Sequence, residues 1–99
     1  MIYRLTPLAK RDLREILEHI HHVQKSPQNA QLVWRRLREA FLKLADRSSL
    51  GHFREEINDD KSRVFSVSGL LVIYDISIKP LTIIRIIHGH RDLRRIRLS

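Results

Sequence analysis

The chain contains no cysteine, which excludes disulfide bonds and thiolate chemistry. Its three glycines are isolated from one another, so a Gly-rich phosphate-binding loop is excluded as well. No apolar run approaches the roughly 20 residues that a membrane-spanning helix needs. The first residues also lack the apolar segment of a signal peptide, and we therefore expect a cytoplasmic protein without membrane contact.

Acidic residues are in the minority, with 11 Asp and Glu against 19 Lys and Arg, for a formal net charge of +8. The excess is concentrated in residues 25–46 and 81–99, which together hold most of the unbalanced basic side chains. A basic surface attracts polyanions or an acidic protein partner. A solvated basic face that aids solubility explains the same charge, and composition alone does not separate these two interpretations.

Two stretches have the periodicity and the start signals of amphipathic helices. Thr6-Pro7 and Ser26-Pro27 each combine an N-cap residue with proline at the first helical position. The spacing of three and four between apolar residues predicts helices that end near Gln24 and Asp46. The predicted apolar stripes consist of Ala9, Leu13, Ile16, Leu17 and Ile20, and of Ala30, Val33, Trp34, Leu37, Phe41 and Leu44. Two such helices joined by a few residues form an antiparallel hairpin.

The remaining residues predict strands and one long loop. Residues 2–5 are short and partly alternating, which indicates a first strand. Residues 47–60, which include Gly51 and Asn58, lack periodicity and predict a loop pinned to the body by Phe53 and Ile57. Residues 63–67, 70–78 and 81–88 then predict three strands joined by tight turns.

The predicted order is β-α-α-β-β-β, an α+β fold in which a helical hairpin packs on an antiparallel sheet. The length of 99 residues and the 42% of hydrophobic residues predict a single domain spanning residues 1–99. The helices should cover one face of the sheet. The other face is expected to be an open polar surface carrying Arg63, Arg85 and Asp75.

A group of polar residues follows the last predicted strand directly, in the run His88-Gly89-His90-Arg91-Asp92. Two imidazoles and a guanidinium can bind phosphate or perform acid–base chemistry on RNA. A structural role is the alternative, with Arg91 and Asp92 paired to neighbouring charges. His19 and His22 share a helix face, but a structural zinc site needs about four ligands and no cysteine is present to complete it. We therefore expect no metal site.

Arginines form two further groups. Arg35 and Arg38 are neighbours on the second predicted helix and form either a local basic patch or a solvated face. Arg94, Arg95 and Arg97 follow the sheet and alternate with apolar residues towards the last position of the sequence. This pattern is consistent with a segment that docks on a partner and with a frayed basic tail.

Several short motifs occur in an order that spans nearly the whole chain. They are Tyr3-x-Leu5-Thr6-Pro7-x-Ala9-x-x-Asp12-Leu13-x-x-Ile16, Ala30 with Leu37, Leu44-Ala45, Gly51, Arg63-x-Phe65-x-Val67, Val72-Ile73-Tyr74 and Ile84-x-Ile86-Ile87-His88-Gly89-x-Arg91-Asp92-Leu93. In this order and spacing, the chain resembles the RelE/ParE superfamily of bacterial type II toxins. The end of the chain resembles the ParE-like branch, because the last tyrosine is Tyr74 and a C-terminal tyrosine of the RelE kind is absent.

The resemblance to ParE implies a toxin that inhibits DNA gyrase through protein–protein contact, causes growth arrest, has no catalytic residues and needs no cofactor. We assign target binding to Arg91, Arg94, Arg95 and Arg97. The resemblance also implies a cognate acidic antitoxin, partly disordered, that forms a hetero-oligomer with the toxin in a groove between the helical hairpin and the sheet edge. We assign antitoxin binding to four further arginines, namely Arg35, Arg38, Arg63 and Arg85.

Two alternatives remain open at this point. A RelE-like member would act with the ribosome as an mRNA endoribonuclease, and its candidate catalytic residues here are Arg63, His88, His90 and Arg91. The other alternative is a non-toxic relative that only binds its antitoxin.

Overall fold

A computed structural model describes residues 2–57 and 59–98, which form two helices packed on one four-stranded sheet. Asn58 of the predicted loop, and Met1 and Ser99 of the predicted domain, lie outside the described residues. The main elements are β1 Tyr3–Leu5, α1 Pro7–Glu18, α2 Pro27–Asp46, β2 Ser62–Val67, β3 Leu70–Asp75 and β4 Leu81–His88. The predicted α+β order β-α-α-β-β-β is confirmed.

Both helices begin where the sequence predicts. The Thr6 hydroxyl oxygen accepts a hydrogen bond from the backbone N–H of Ala9 at 3.1 Å, and Ser26 accepts one from Asn29 at 3.3 Å. These bonds satisfy N–H groups that have no partner within the helix. After α1 the chain continues as one wider π-helical turn, His19–Val23, before it reaches α2.

The sheet has the strand order β1-β4-β3-β2. β2 and β3 form a hairpin whose two connecting residues, Ser68 and Gly69, have φ angles of 52° and 75°. Positive φ at both positions gives a turn that matches the twist of the flanking strands. β3 and β4 are also antiparallel, whereas β1 runs parallel to β4 with Tyr3 opposite Leu81. The sheet is therefore mixed, because β1 joins its edge in the same direction as β4.

Both faces of the sheet are covered. The helix-side core contains Leu37, Phe41 and Leu44 from α2, packed against Val72 and Ile83. Trp34, predicted as a core residue, is only partly buried against this core. The helices therefore cover one face of the sheet, as predicted.

The second face of the sheet is apolar, so the prediction of an open polar surface is wrong. Its buried residues are Ile57, Val64, Leu71, Ile73, Ile87 and Leu93. We define residues 93–98 as the C-terminal segment, which starts with a short 3₁₀ turn, Leu93–Arg95, and packs Ile96 and Leu98 on this face. The segment and Ile57 remove the face from solvent, a packing that local periodicity does not reveal.

The loop before β2 is anchored on one of its two predicted residues. Ile57 is 5% exposed and lies in the second core, as predicted. Phe53 is 54% exposed and lies outside both cores, and its ring is 5.6 Å from the Arg63 guanidinium of β2. Within the described part of the chain, no helix is both long and apolar enough to cross a membrane.

Candidate functional site

The end of β4 fixes the backbone of the predicted polar run. His88 is the last residue of β4 and lies opposite Leu70 of β3. The N–H of Gly89 donates to the carbonyl of Gly69 at 2.9 Å, which ties the following turn to the β2–β3 hairpin. The His88 and His90 rings stack with their centroids 5.6 Å apart. The sheet therefore presents two exposed imidazoles on an ordered turn.

A polar cleft of about 230 Å³ lies between α1 and this end of β4. Its lining includes Glu15 from α1 and His19 from the π-helical turn, together with His88 and Arg91. The cleft exists because β1 pairs with β4 only as far as Ile83, which leaves the rest of that strand edge to α1. It corresponds to the predicted groove between the helical hairpin and the sheet edge.

A buried ion pair joins α1 to β4 beside this cleft. The Arg85 Nε donates to Asp12 Oδ2 at 2.7 Å, and Nη2 donates to Asp12 Oδ1 at 3.0 Å. Asp12 Oδ2 also accepts from the backbone N–H of Ile86 at 3.0 Å. Both side chains are less than one-tenth exposed. The hydrogen bonds to Asp12 raise the pKa of Arg85 above its ordinary value, so the guanidinium stays charged although it is buried.

This pair was not predicted from the sequence, and it corrects the role assigned to Arg85. The spacing of Asp12 from Ala9 and Ile16 puts it on the buried face of α1, and that spacing is the feature of the sequence that could have revealed the buried carboxylate. Arg85 was assigned to antitoxin binding on an open sheet face. At 7% exposure and held by Asp12, its side chain is not on the surface, which contradicts a direct contact with a partner.

The four candidate endoribonuclease residues do not come together. His88, His90 and Arg91 share the turn after β4, and that part of the set is close in space. Arg63 pairs with Tyr74 in the sheet, four positions along β3 from the Leu70 that faces His88. At about 3.3 Å per strand residue, this register separates Arg63 from His88 by roughly 13 Å along the strand direction. Arg63 is instead partly buried, and donates to the carbonyl of Asp60 at 3.1 Å.

The arginines assigned to target binding are all exposed. Arg91 lies in the turn after β4, and the others belong to the C-terminal segment. Asp92 caps the short 3₁₀ turn by accepting from the N–H of Arg94 at 3.0 Å. Its other oxygen lies 3.8 Å from the Arg95 Nε, in an exposed ion pair. Leu93 is 5% exposed, so the start of the segment packs in the second core.

The helical hairpin carries a second, apolar groove of about 320 Å³, lined by both helices. Leu13 and Leu17 contribute from α1, and Ala30 and Trp34 contribute from α2. Arg38 follows Trp34 by one helical turn, so the exposed Arg35 and Arg38 lie beside this groove. Among residues 2–57 and 59–98, no group of three or more His, Asp and Glu side chains is placed to hold a metal ion.

Comparison with known proteins assigns the family. Residues 3–93 match the family described as the ParE toxin of the type II toxin–antitoxin system parDE. The chain belongs to this family of ParE toxins. A solved structure described as the chromosomal ParDE TA system from P. aeruginosa superposes with a TM-score of 0.71 at 20% sequence identity, covering 87% of this chain and 92% of that one. That likeness supports the same fold. No curated protein matches the chain.

Proposed function

We propose that the chain inhibits DNA gyrase in the cytoplasm through protein contact, without catalysis of its own. The observation that carries this proposal is the exposure of Arg91, Arg94, Arg95 and Arg97 around Leu93, which is buried in the second core. Planar guanidinium groups on a fixed backbone suit recognition of carboxylates and phosphates. Exposed charged side chains of this kind fit contact with a large partner better than the binding of a small substrate, which needs a concave pocket.

The position of Arg63 supports an inhibitor over an endoribonuclease. General acid–base catalysis needs groups within hydrogen-bond reach of the reacting atoms. Arg63 lies at the far end of the sheet from His88, so it does not complete a site with the two histidines.

The proposed neutralising partner is a cognate acidic antitoxin that forms a hetero-oligomer with this chain. We place this antitoxin in the apolar groove beside Trp34 and not in the predicted cleft at the sheet edge, because a segment that folds on binding needs apolar surface to bury its own apolar side chains. Arg35 and Arg38 would pair with its carboxylates at the rim, where charge mainly sets the association rate. Arg63 is a lesser candidate, because its guanidinium already contacts the Phe53 ring.

A supercoiling assay tests the target. Purified chain added to gyrase and relaxed plasmid should block supercoiling and leave linear plasmid after detergent and protease treatment. The variant Arg94→Ala/Arg95→Ala should weaken inhibition about tenfold or more, because a lost charged contact at an interface costs about 1.5–3 kcal/mol. The matched control is Arg35→Ala/Arg36→Ala, which removes the same charge from α2 and should inhibit like the wild type.

Two outcomes would overturn the proposal. One is unimpaired supercoiling at a large molar excess of the chain. The other is codon-positioned cleavage of translated mRNA in primer extension that disappears in His90→Ala, which would establish the endoribonuclease instead. Expression without growth arrest or either activity would indicate a relative that only binds its antitoxin.

A further inference from the structure

The buried Arg85 makes a third contact that the Asp12 pair does not explain. Its Nη1 donates to the backbone carbonyl of Arg97 at 2.6 Å. One guanidinium therefore joins three parts of the chain, namely α1, β4 and the C-terminal segment. Arginine suits this position because its planar fork directs several donors at fixed angles, whereas a lysine ammonium on a flexible stem does not.

Among the hydrogen bonds of residues 2–57 and 59–98, the bond from Arg85 is the one that joins the C-terminal segment to the fold beyond Asp92. Its backbone hydrogen bonds are local, from Arg95 to Asp92 at 3.1 Å and from Ile96 to Leu93 at 3.3 Å. Leu93 is buried, but Ile96 and Leu98 are only partly covered. The bond from Arg85 acts near the end of the segment, beyond the buried Leu93, where apolar packing is weakest.

A buried ion pair is a costly way to gain stability alone. Removing two charges from water offsets most of their attraction, and an apolar pair of similar size is often as stable. Asp12 and Arg85 are nevertheless both less than one-tenth exposed, with every donor and acceptor named above directed at a partner. A role in fixing one conformation accounts for this arrangement better than a contribution to stability.

We propose that Arg85, oriented by Asp12, is a positioning residue that fixes the C-terminal segment and so sets the directions of Arg94, Arg95 and Arg97. The consequence for the target rests on the proposed function, because these arginines are its proposed gyrase contacts. The positioning itself does not depend on the target, and it is measured separately.

Hydrogen exchange of the free protein tests the positioning. In Arg85→Lys, the peptide covering residues 93–98 should exchange about tenfold faster or more, since a hydrogen bond from a charged donor is lost. Exchange in β3 should change far less. The control Arg11→Lys alters the exposed pair with Glu15, whose atoms lie 3.9 Å apart, and should leave the C-terminal segment unchanged.

A double variant keeps the test valid if Arg85→Lys does not fold. Asp12→Asn/Arg85→Gln removes both buried charges together and retains an acceptor for the Ile86 N–H, so it avoids an unpaired buried charge. It should fold, and its C-terminal segment should lose protection as in Arg85→Lys. A folded double variant whose segment exchanges like the wild type would overturn the proposal.

The gyrase assay then separates the two proposals. If the wild type inhibits gyrase, Arg85→Lys and Asp12→Asn/Arg85→Gln should both inhibit about tenfold less. The thermal midpoint of the double variant should be unchanged, which shows that it is folded. If the wild type does not inhibit gyrase at all, the proposed function fails while the exchange data still decide the role of Arg85. Full inhibition by a variant whose C-terminal segment exchanges faster would show that gyrase binding does not depend on the orientation of this segment.

Discussion

Tyr74 shows how one side chain organises the loop before β2. It is fully buried, its hydroxyl donates to the carbonyl of Ser48 at 2.6 Å, and it accepts from the N–H of Gly51 at 2.8 Å. A Cβ at position 51 would overlap the Tyr74 ring, at 2.7 Å from Cε1, so only glycine fits there. Burial raises the pKa of Tyr74 above its ordinary value of 10.0.

At the residue scale, we expect Tyr74→Phe to lower the free energy of unfolding by about 1–3 kcal/mol at pH 8, since it leaves the buried Gly51 N–H and the part-buried Ser48 carbonyl without a partner. The deficit should shrink above pH 10. The folded wild type keeps its phenolic proton while the unfolded chain releases it, so this stabilisation is complete below pH 10 and is lost as the pH rises through the folded-state pKa. Urea unfolding followed by Trp34 fluorescence at pH 8, 10 and 11 measures the difference, and a constant gap would contradict the assignment.

At the scale of elements, the start of α1 is bound to the sheet as well as capped. The Thr6 hydroxyl accepts from the Ala9 N–H and donates to the carbonyl of Ile84 at 2.8 Å. Ser26 has the same capping role in α2, with a longer 3.3 Å bond to the Asn29 N–H and no partner in the sheet among the hydrogen bonds of the described residues. The two caps look equivalent in the sequence, and the sheet makes them different.

We therefore expect Thr6→Ala to cost about 2 kcal/mol of unfolding free energy, one part from the cap and one from the bond to β4. Ser26→Ala serves as the matched variant and should cost about 1 kcal/mol or less, because only a cap is lost. Urea denaturation of both variants at pH 7 gives the comparison. Equal losses would mean that the bond from Thr6 to β4 contributes nothing.

The contrast between these caps also explains which elements sequence reasoning could predict. Local signals, such as Ser26-Pro27 before α2 and Ser68-Gly69 between β2 and β3, were sufficient to predict the helices and strands and their order along the chain. The covered second face was missed because it depends on residues 93–98 returning over the sheet. The Asp12–Arg85 pair was also missed, because its partners lie 73 residues apart and local patterns do not show which distant residues meet.

In the candidate site, too, the features that follow from local sequence could be predicted and those that depend on distant residues could not. The turn from His88 to Arg91 and the exposed arginines could be predicted, because they follow a strand whose end is evident in the sequence. The separation of Arg63 from His88 could not, because it depends on strand register across three strands. Register is fixed by which side chains become buried together, and periodicity within one strand does not specify it.

On the scale of the whole molecule, most of the net charge of +8 lies in residues 25–46 and 81–99, whose exposed arginines form two surfaces. Arg35 and Arg38 lie on the exposed face of the helical hairpin, next to an apolar groove. Arg94, Arg95 and Arg97 lie on the C-terminal segment, which packs on the opposite face of the sheet. One small fold therefore presents two basic surfaces on different sides, as the two partners of the proposed function require.

Removing charge from one basic surface at a time shows which surface the antitoxin contacts. Arg35→Ala/Arg38→Ala should slow association with the cognate antitoxin about tenfold at 50 mM NaCl, because charge at a rim acts mainly on the association rate. At 1 M NaCl the Debye length falls to about 3 Å, and the variant should then associate as the wild type does. Stopped-flow mixing monitored by Trp34 fluorescence measures both rates, since the groove includes that residue.

The control variant Arg94→Ala/Arg95→Ala removes equal charge from the other surface. It should change the association rate with the antitoxin little, because the two basic surfaces lie on different sides of the fold. Equal slowing by both variants would show that the antitoxin responds to net charge alone.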